Sequence, residues 1–67
     1  MKLTEWYPGD VKPVRVGVYQ RRYPNNAIMY CYWNGLFFFA GEYTVNKAIV
    51  YKFDTLRQNL PWRGVAK

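Results

Sequence analysis

The chain contains no histidine and no serine, a single cysteine, and only four acidic residues, Glu5, Asp10, Glu42 and Asp54. General acid–base catalysis therefore lacks its commonest group, a hydroxyl or thiol nucleophile lacks a neighbouring base, and a zinc site lacks its Cys/His set. The glycines Gly9, Gly17, Gly35, Gly41 and Gly64 stand alone, so no glycine-rich loop is present to cradle a phosphate. These absences predict a protein that is not an enzyme, with no catalytic residue, metal or cofactor. Long apolar runs are also missing. The longest, residues 27–41 (AIMYCYWNGLFFFAG), is broken by Asn34-Gly35 and falls short of the ~20 residues that cross a bilayer. The start, MKLTEWYPGD, has no apolar signal-peptide stretch. A cytoplasmic protein with no membrane partner is expected. Cys31 has no second cysteine to pair with and reads as a reduced thiol packed like a small apolar side chain.

What the chain has instead is rings and cations. Among 67 residues are three Trp, seven Tyr and four Phe. A domain this small buries only about 60% of its unfolded surface, so aromatic packing, at roughly 150–250 Å² per ring, must supply the core. The formal charge of +6 creates a field that attracts nucleic acid, an acidic protein face or an anionic membrane. The plainer reading is that the cations keep an aromatic-rich chain in solution.

No repeat or linker interrupts the chain, which reads as one compact domain over residues 1–67. Asn34-Gly35 between apolar runs predicts a two-residue type I′ hairpin, with Trp33 facing Leu36, Tyr32 facing Phe37 and Cys31 facing Phe38. Residues 14–22 alternate, with Val14, Val16 and Val18 on one side and Arg15, Gly17, Tyr19 and Arg21 on the other. Gly17 within that strand suggests a bulge or a close approach. The turn-rich segment 21–26 links this strand to the hairpin, giving a meander of residues 14–22, 28–33 and 36–40. Thr44 is placed to cap a short helix from about Val45, although alternation at Ile49, Tyr51 and Phe53 also allows a strand over residues 48–53. The fold expected is α+β, a small antiparallel sheet of three to four strands plus one short helix; the alternative is an all-β, SH3-like barrel. Trp6 should lie across the sheet as a lid, and Trp62 should plug the core edge.

If the valine side joins Met29, Cys31, Trp33 and Phe38 as core, the opposite face gathers Arg15, Tyr19, Arg21, Tyr30, Tyr32, Phe37 and Phe39, with Arg22 in the adjoining loop. Arginine and aromatic residues dominate protein hot spots, and the same mixture binds single-stranded nucleic acid. The competing possibility is that the helix or the N-terminal arm covers these rings.

The series Trp6-x-Pro8, Lys12-Pro13, Gly17-Val18-Tyr19, Tyr32-Trp33-x-Gly35 and Pro61-Trp62-Arg63-Gly64 resembles a group of small proteins encoded by bacteriophages and prophages. The resemblance spans nearly the whole chain and brings no catalytic or ligand residues with it. It implies an accessory protein acting in the bacterial cytoplasm by binding and inhibiting or modulating a host protein or nucleoprotein, defence nucleases included. The alternative function is a small basic protein that binds single-stranded nucleic acid directly.

Overall fold

A computed structural model describes Lys2, Leu3 and residues 5–66, with the side chains of Lys2, Leu3, Val65 and Ala66 left aside. Four strands and a helix follow in the order β1 (Lys2–Leu3), β2 (Gly17–Arg22), β3 (Ile28–Trp33), α1 (Val45–Val50) and β4 (Trp62–Ala66). The sheet is antiparallel in the order β1-β4-β2-β3, so the C-terminal strand inserts beside β2 instead of merely closing the fold. This is the small α+β arrangement expected from the sequence. The alternation of β2 is legible only from Gly17 onward. Val14 and Val16 precede the strand and are 97% and 57% exposed. A Cβ at Gly17 would meet nothing within 4 Å, so no close approach explains that glycine.

The tight hairpin joins β2 to β3. Tyr23 N–H donates to Ala27 O at 2.8 Å across a three-residue loop, Pro24-Asn25-Asn26. Asn26 takes the left-handed conformation (φ 67°), which asparagine tolerates better than most residues. Proline at the first loop position presets φ, and the Asn25 side chain accepts from Ala27 N–H at 3.0 Å. An odd loop fixes the register parity: Tyr19 opposes Cys31 and Arg21 opposes Met29, while Val18 opposes Tyr32 and Gln20 opposes Tyr30. Opposed residues share a face, so Tyr19 and Arg21 join Cys31 and Trp33 on the core side.

At Asn34-Gly35 the chain turns more widely than a two-residue hairpin would. Trp33 pairs with Phe38, and Phe39 N–H donates to Tyr32 O at 2.9 Å. Only Gly35 has positive φ (97°), so the turn is not type I′, which requires it at both central residues. The Asn34 side chain instead accepts from Leu36 and Phe37 N–H, each at 2.8 Å. The slip relative to the expected pairing is two residues, which preserves the faces: Phe38 stays with Trp33, and Phe39 with Tyr32. Residues 36–40 form an isolated bridge, not a strand. Tyr30 pairs next with Glu42, so one residue on β3 faces two on the returning chain, a bulge at Ala40-Gly41. Gly41 is required there, since a Cβ would sit 2.6 Å from Met29 Cβ.

Thr44 caps α1, its Oγ1 accepting from Lys47 N–H at 3.1 Å. A six-residue helix has little stability of its own, and this one is held by packing on β3 and β2 with Ala48 buried. The core lies on the other side of the sheet, where Cys31, Trp33, Phe38 and Trp62 form one cluster with Tyr19 and Tyr23 against it. Residues 5–13 and 54–60 cap that side. Trp62 Nε1 donates to Val11 O at 2.5 Å, and Tyr7 stacks on the Trp62 ring with centroids 4.7 Å apart. Gln58 brackets the Phe38 backbone, its Oε1 accepting from Phe38 N–H and its Nε2 donating to Phe38 O, both at 2.7 Å.

Candidate functional site

The face of the sheet opposite the core, open at Arg22 and Phe37 and partly covered by α1 and Trp6, is built by Gln20 and Arg22 on β2, Tyr30 and Tyr32 on β3, and Arg63 on β4, which opposes Gln20. Tyr7 stacks on the core side of Trp62, so its neighbour Trp6 turns to the open side. There the guanidinium carbons of Arg22 and Arg63 lie over its ring, 4.7 and 4.6 Å from the centroid. This is the contact expected of Trp6 as a lid, its ring set against the two cations that rise from β2 and β4. Gln20, only 8% exposed, accepts from Arg63 Nε through Oε1 at 2.7 Å and donates through Nε2 to the Tyr30 hydroxyl at 3.3 Å. A buried amide thereby fixes one edge of the Arg63 fork. Toward the other end of the face, Phe39 packs on Tyr32 and on Phe37, and Lys52 Nζ sits 4.6 Å over the Tyr32 ring. Lys52 follows α1 closely, which sets the end of the helix on this same side.

Of the residues predicted to form the site, Arg22, Tyr30, Tyr32, Phe37 and Phe39 come together here. Arg22 is exposed, Phe37 is 39% exposed, and the other three are half-buried. Arg15, Tyr19 and Arg21 do not join them. Arg15 lies in the segment before β2, where its carbonyl accepts from the Tyr19 hydroxyl at 2.7 Å. Tyr19 packs edge-on to Trp62 and Phe38. Arg21 is 0% exposed, with its guanidinium carbon 4.3 Å from the Phe38 centroid, Nη2 donating to Arg57 O at 2.6 Å, and Nη1 3.9 Å from Cys31 Sγ. The physical reason for this correction is the odd hairpin loop, which turned β2 over relative to the valine-in expectation. Gln20 and Lys52 join the face with no sequence signal pointing to them, and Trp6 and Arg63 join it from the two terminal segments. Arg63 was recoverable by alternation, since a buried Trp62 places the next residue on the opposite face.

Ionisation separates the two sides. Burial pushes the Cys31 thiol up, against the opposing pull of Arg21, and burial also raises the Tyr19 and Tyr23 phenols. Desolvation, followed by the Arg21 charge, lowers the Lys12 ammonium, whose Nζ donates to Gly9 O and Gln58 O. Near the hairpin loop an open groove of about 290 Å³ is lined by Tyr23, Asn25, Ala27, Met29, Gly41 and Tyr43, with no charged side chain. Among the described residues no three His, Cys, Asp or Glu side chains gather as metal ligands, and no helix is long and apolar enough to cross a membrane.

No protein family, curated protein or solved structure matches this chain.

Proposed function

We propose that this chain is a non-enzymatic accessory protein of the phage type that binds a host protein or nucleoprotein in the bacterial cytoplasm and modulates it. The contact surface is the open face carrying Arg22, Arg63, Tyr32, Phe37, Phe39 and Lys52. The observation that carries this reading is the pair of guanidiniums set over Trp6. Both cations are held against a half-buried ring, Arg22 exposed and Arg63 half-buried, an arrangement that restrains them for a partner at little further entropic cost. The scarcity of acid–base and nucleophilic groups and the resemblance of the Trp6-x-Pro8 to Pro61-Trp62-Arg63-Gly64 series to small phage proteins support the same reading.

The test is affinity capture from a bacterial lysate with the wild-type chain, Arg22→Gln and Phe37→Ser. A host component retained by the wild type and lost with either variant, while both keep a native melt, is the expected result. Equal capture by all three would place the contact elsewhere.

A further inference from the structure

The chemistry of the open face narrows the partner further, and the inference rests on the binding role just proposed. We propose that Arg22 and Arg63, set by Trp6 and Gln20, form a phosphate-binding site that grips the phosphodiester backbone of a nucleic acid without stacking on its bases. Both guanidinium carbons lie within 4.7 Å of one ring centroid, so they are at most about twice that distance apart, a span that neighbouring phosphates of one backbone can bridge. A carboxylate has two oxygens in one plane, and one guanidinium fork engages both of them. The oxygens of a phosphate point in several directions and accept from two forks together. Arg63 already spends its Nε on Gln20, which restrains the orientation of the guanidinium and leaves its two Nη groups as the donors for a ligand.

Ring occupancy decides between backbone gripping and base stacking. Single-strand binders offer bare aromatic faces to bases. Here Trp6 is covered by Arg22 and Arg63, and Tyr32 has Lys52 on it. The surface thus presents cations propped on rings, with Lys52 as a further contact along the face. The formal charge of +6 adds the long-range attraction that a polyanion feels most strongly.

The probe is a labelled homopolymeric DNA strand, with a duplex of equal length as a second arm, titrated by anisotropy as salt rises from about 50 to about 200 mM. Two phosphate contacts on a single strand contribute a log–log slope of about −1.4, equal to about sevenfold weaker binding over that range. The expected result is binding indifferent to base identity, in which Arg22→Gln with Arg63→Gln flattens the slope by about that amount. Tighter binding to duplex than to single strand, with the same loss in the double variant, supports the site and assigns it to duplex. Because Arg63 is half-buried, Arg22→Gln alone, at an exposed position, is the variant that tests the site with the fold intact. Its slope should flatten by about 0.7. Arg57→Gln removes the same charge from the segment capping the opposite side. Equal losses from Arg22→Gln and Arg57→Gln would trace binding to net charge and overturn the proposal, as would a marked preference for one base. A nuclease-resistant protein partner that needs Arg22, with no oligonucleotide binding, would overturn the phosphate assignment and leave the binding role standing. Oligonucleotide binding that needs Arg22, with no captured host component, would do the reverse.

Discussion

The two sides of the sheet use the same pair of chemical groups for opposite ends. On the core side Arg21 lies over Phe38 at 4.3 Å and is fully buried; on the open side Arg22 lies over Trp6 at 4.7 Å and is exposed. These arginines are adjacent in sequence, so composition cannot tell them apart. What separates them is the second layer. Residues 54–60 bring the Arg57 carbonyl to Arg21 Nη2, whereas nothing among the described hydrogen bonds closes over Arg22. A guanidinium can be buried where carbonyls and a ring face replace its water, although Arg21 Nε has no partner at all. Arginine on a ring is therefore a structural device on one side and a presented group on the other.

The largest expected effect breaks the core side. Phe38→Ala should cost about 3–5 kcal/mol, because Phe38 is fully buried and holds both Trp33 and the Arg21 guanidinium. Arg21→Ala should cost on the order of 3 kcal/mol, and Arg21→Met should recover part of it, since an apolar chain of similar length removes the desolvation penalty. Denaturant melts measure both. A cost for Arg21→Ala no greater than that for Arg22→Ala would erase the contrast between the faces.

A turn variant comes next. Gly35→Val forces a β-branched residue to φ 97° and should cost about 1–3 kcal/mol, read as a shifted melt midpoint.

Alkaline titration sharpens the comparison through ionisation. The folded-state values of Cys31, Tyr19 and Tyr23 are raised, so the native state holds these protons more tightly than the unfolded chain does. Their contribution is fully present below the unfolded values and is lost as pH climbs through the folded ones. Stability should therefore fall from about pH 9 upward. Lys12, whose value is lowered, works in the opposite sense. Cys31→Ala should flatten the first part of the fall, monitored by thermal melts at stepped pH.

The smallest effect belongs to the open side, where Arg22→Ala should leave stability within about 0.5 kcal/mol. A larger loss would show that the Trp6 contact holds the fold together and is not poised for a partner.

Much of the local structure was legible from the residues. The bounds of β3, the Thr44 cap with its short helix, the burial of Cys31 and Trp62, and the shared face of Tyr32 and Phe39 all follow from alternation, capping chemistry and turn signals, whereas the pairing itself slipped from Phe37 to Phe39. What escaped was parity. Pro24-Asn25-Asn26 and Asn34-Gly35 both carry turn chemistry, and the second has the stronger two-residue signal. The chain uses the first for its tight hairpin. Counting three loop residues there would have placed Tyr19 and Arg21 inward, but the valines at 14, 16 and 18 made the other choice look better on hydrophobicity alone. A buried arginine overrode that pattern because a carbonyl acceptor arrives from a residue 36 positions away, and no local rule detects it.

Gln58 has a consequence for how this protein behaves in company. The run Phe37-Phe38-Phe39 sits beside β3, and while the neighbours of Phe38 bond inward to Asn34 and Tyr32, the main-chain N–H and C=O of Phe38 face away, where they would invite a second molecule to pair. The side-chain amide of Gln58 occupies both the N–H and the C=O of the middle residue, in the manner of a neighbouring strand one residue long. It is a plug in a socket that would otherwise accept any extended peptide. A chain carrying leucine at position 58 would expose that socket, and its first symptom would be self-association rising with concentration, ahead of any loss of helix or sheet.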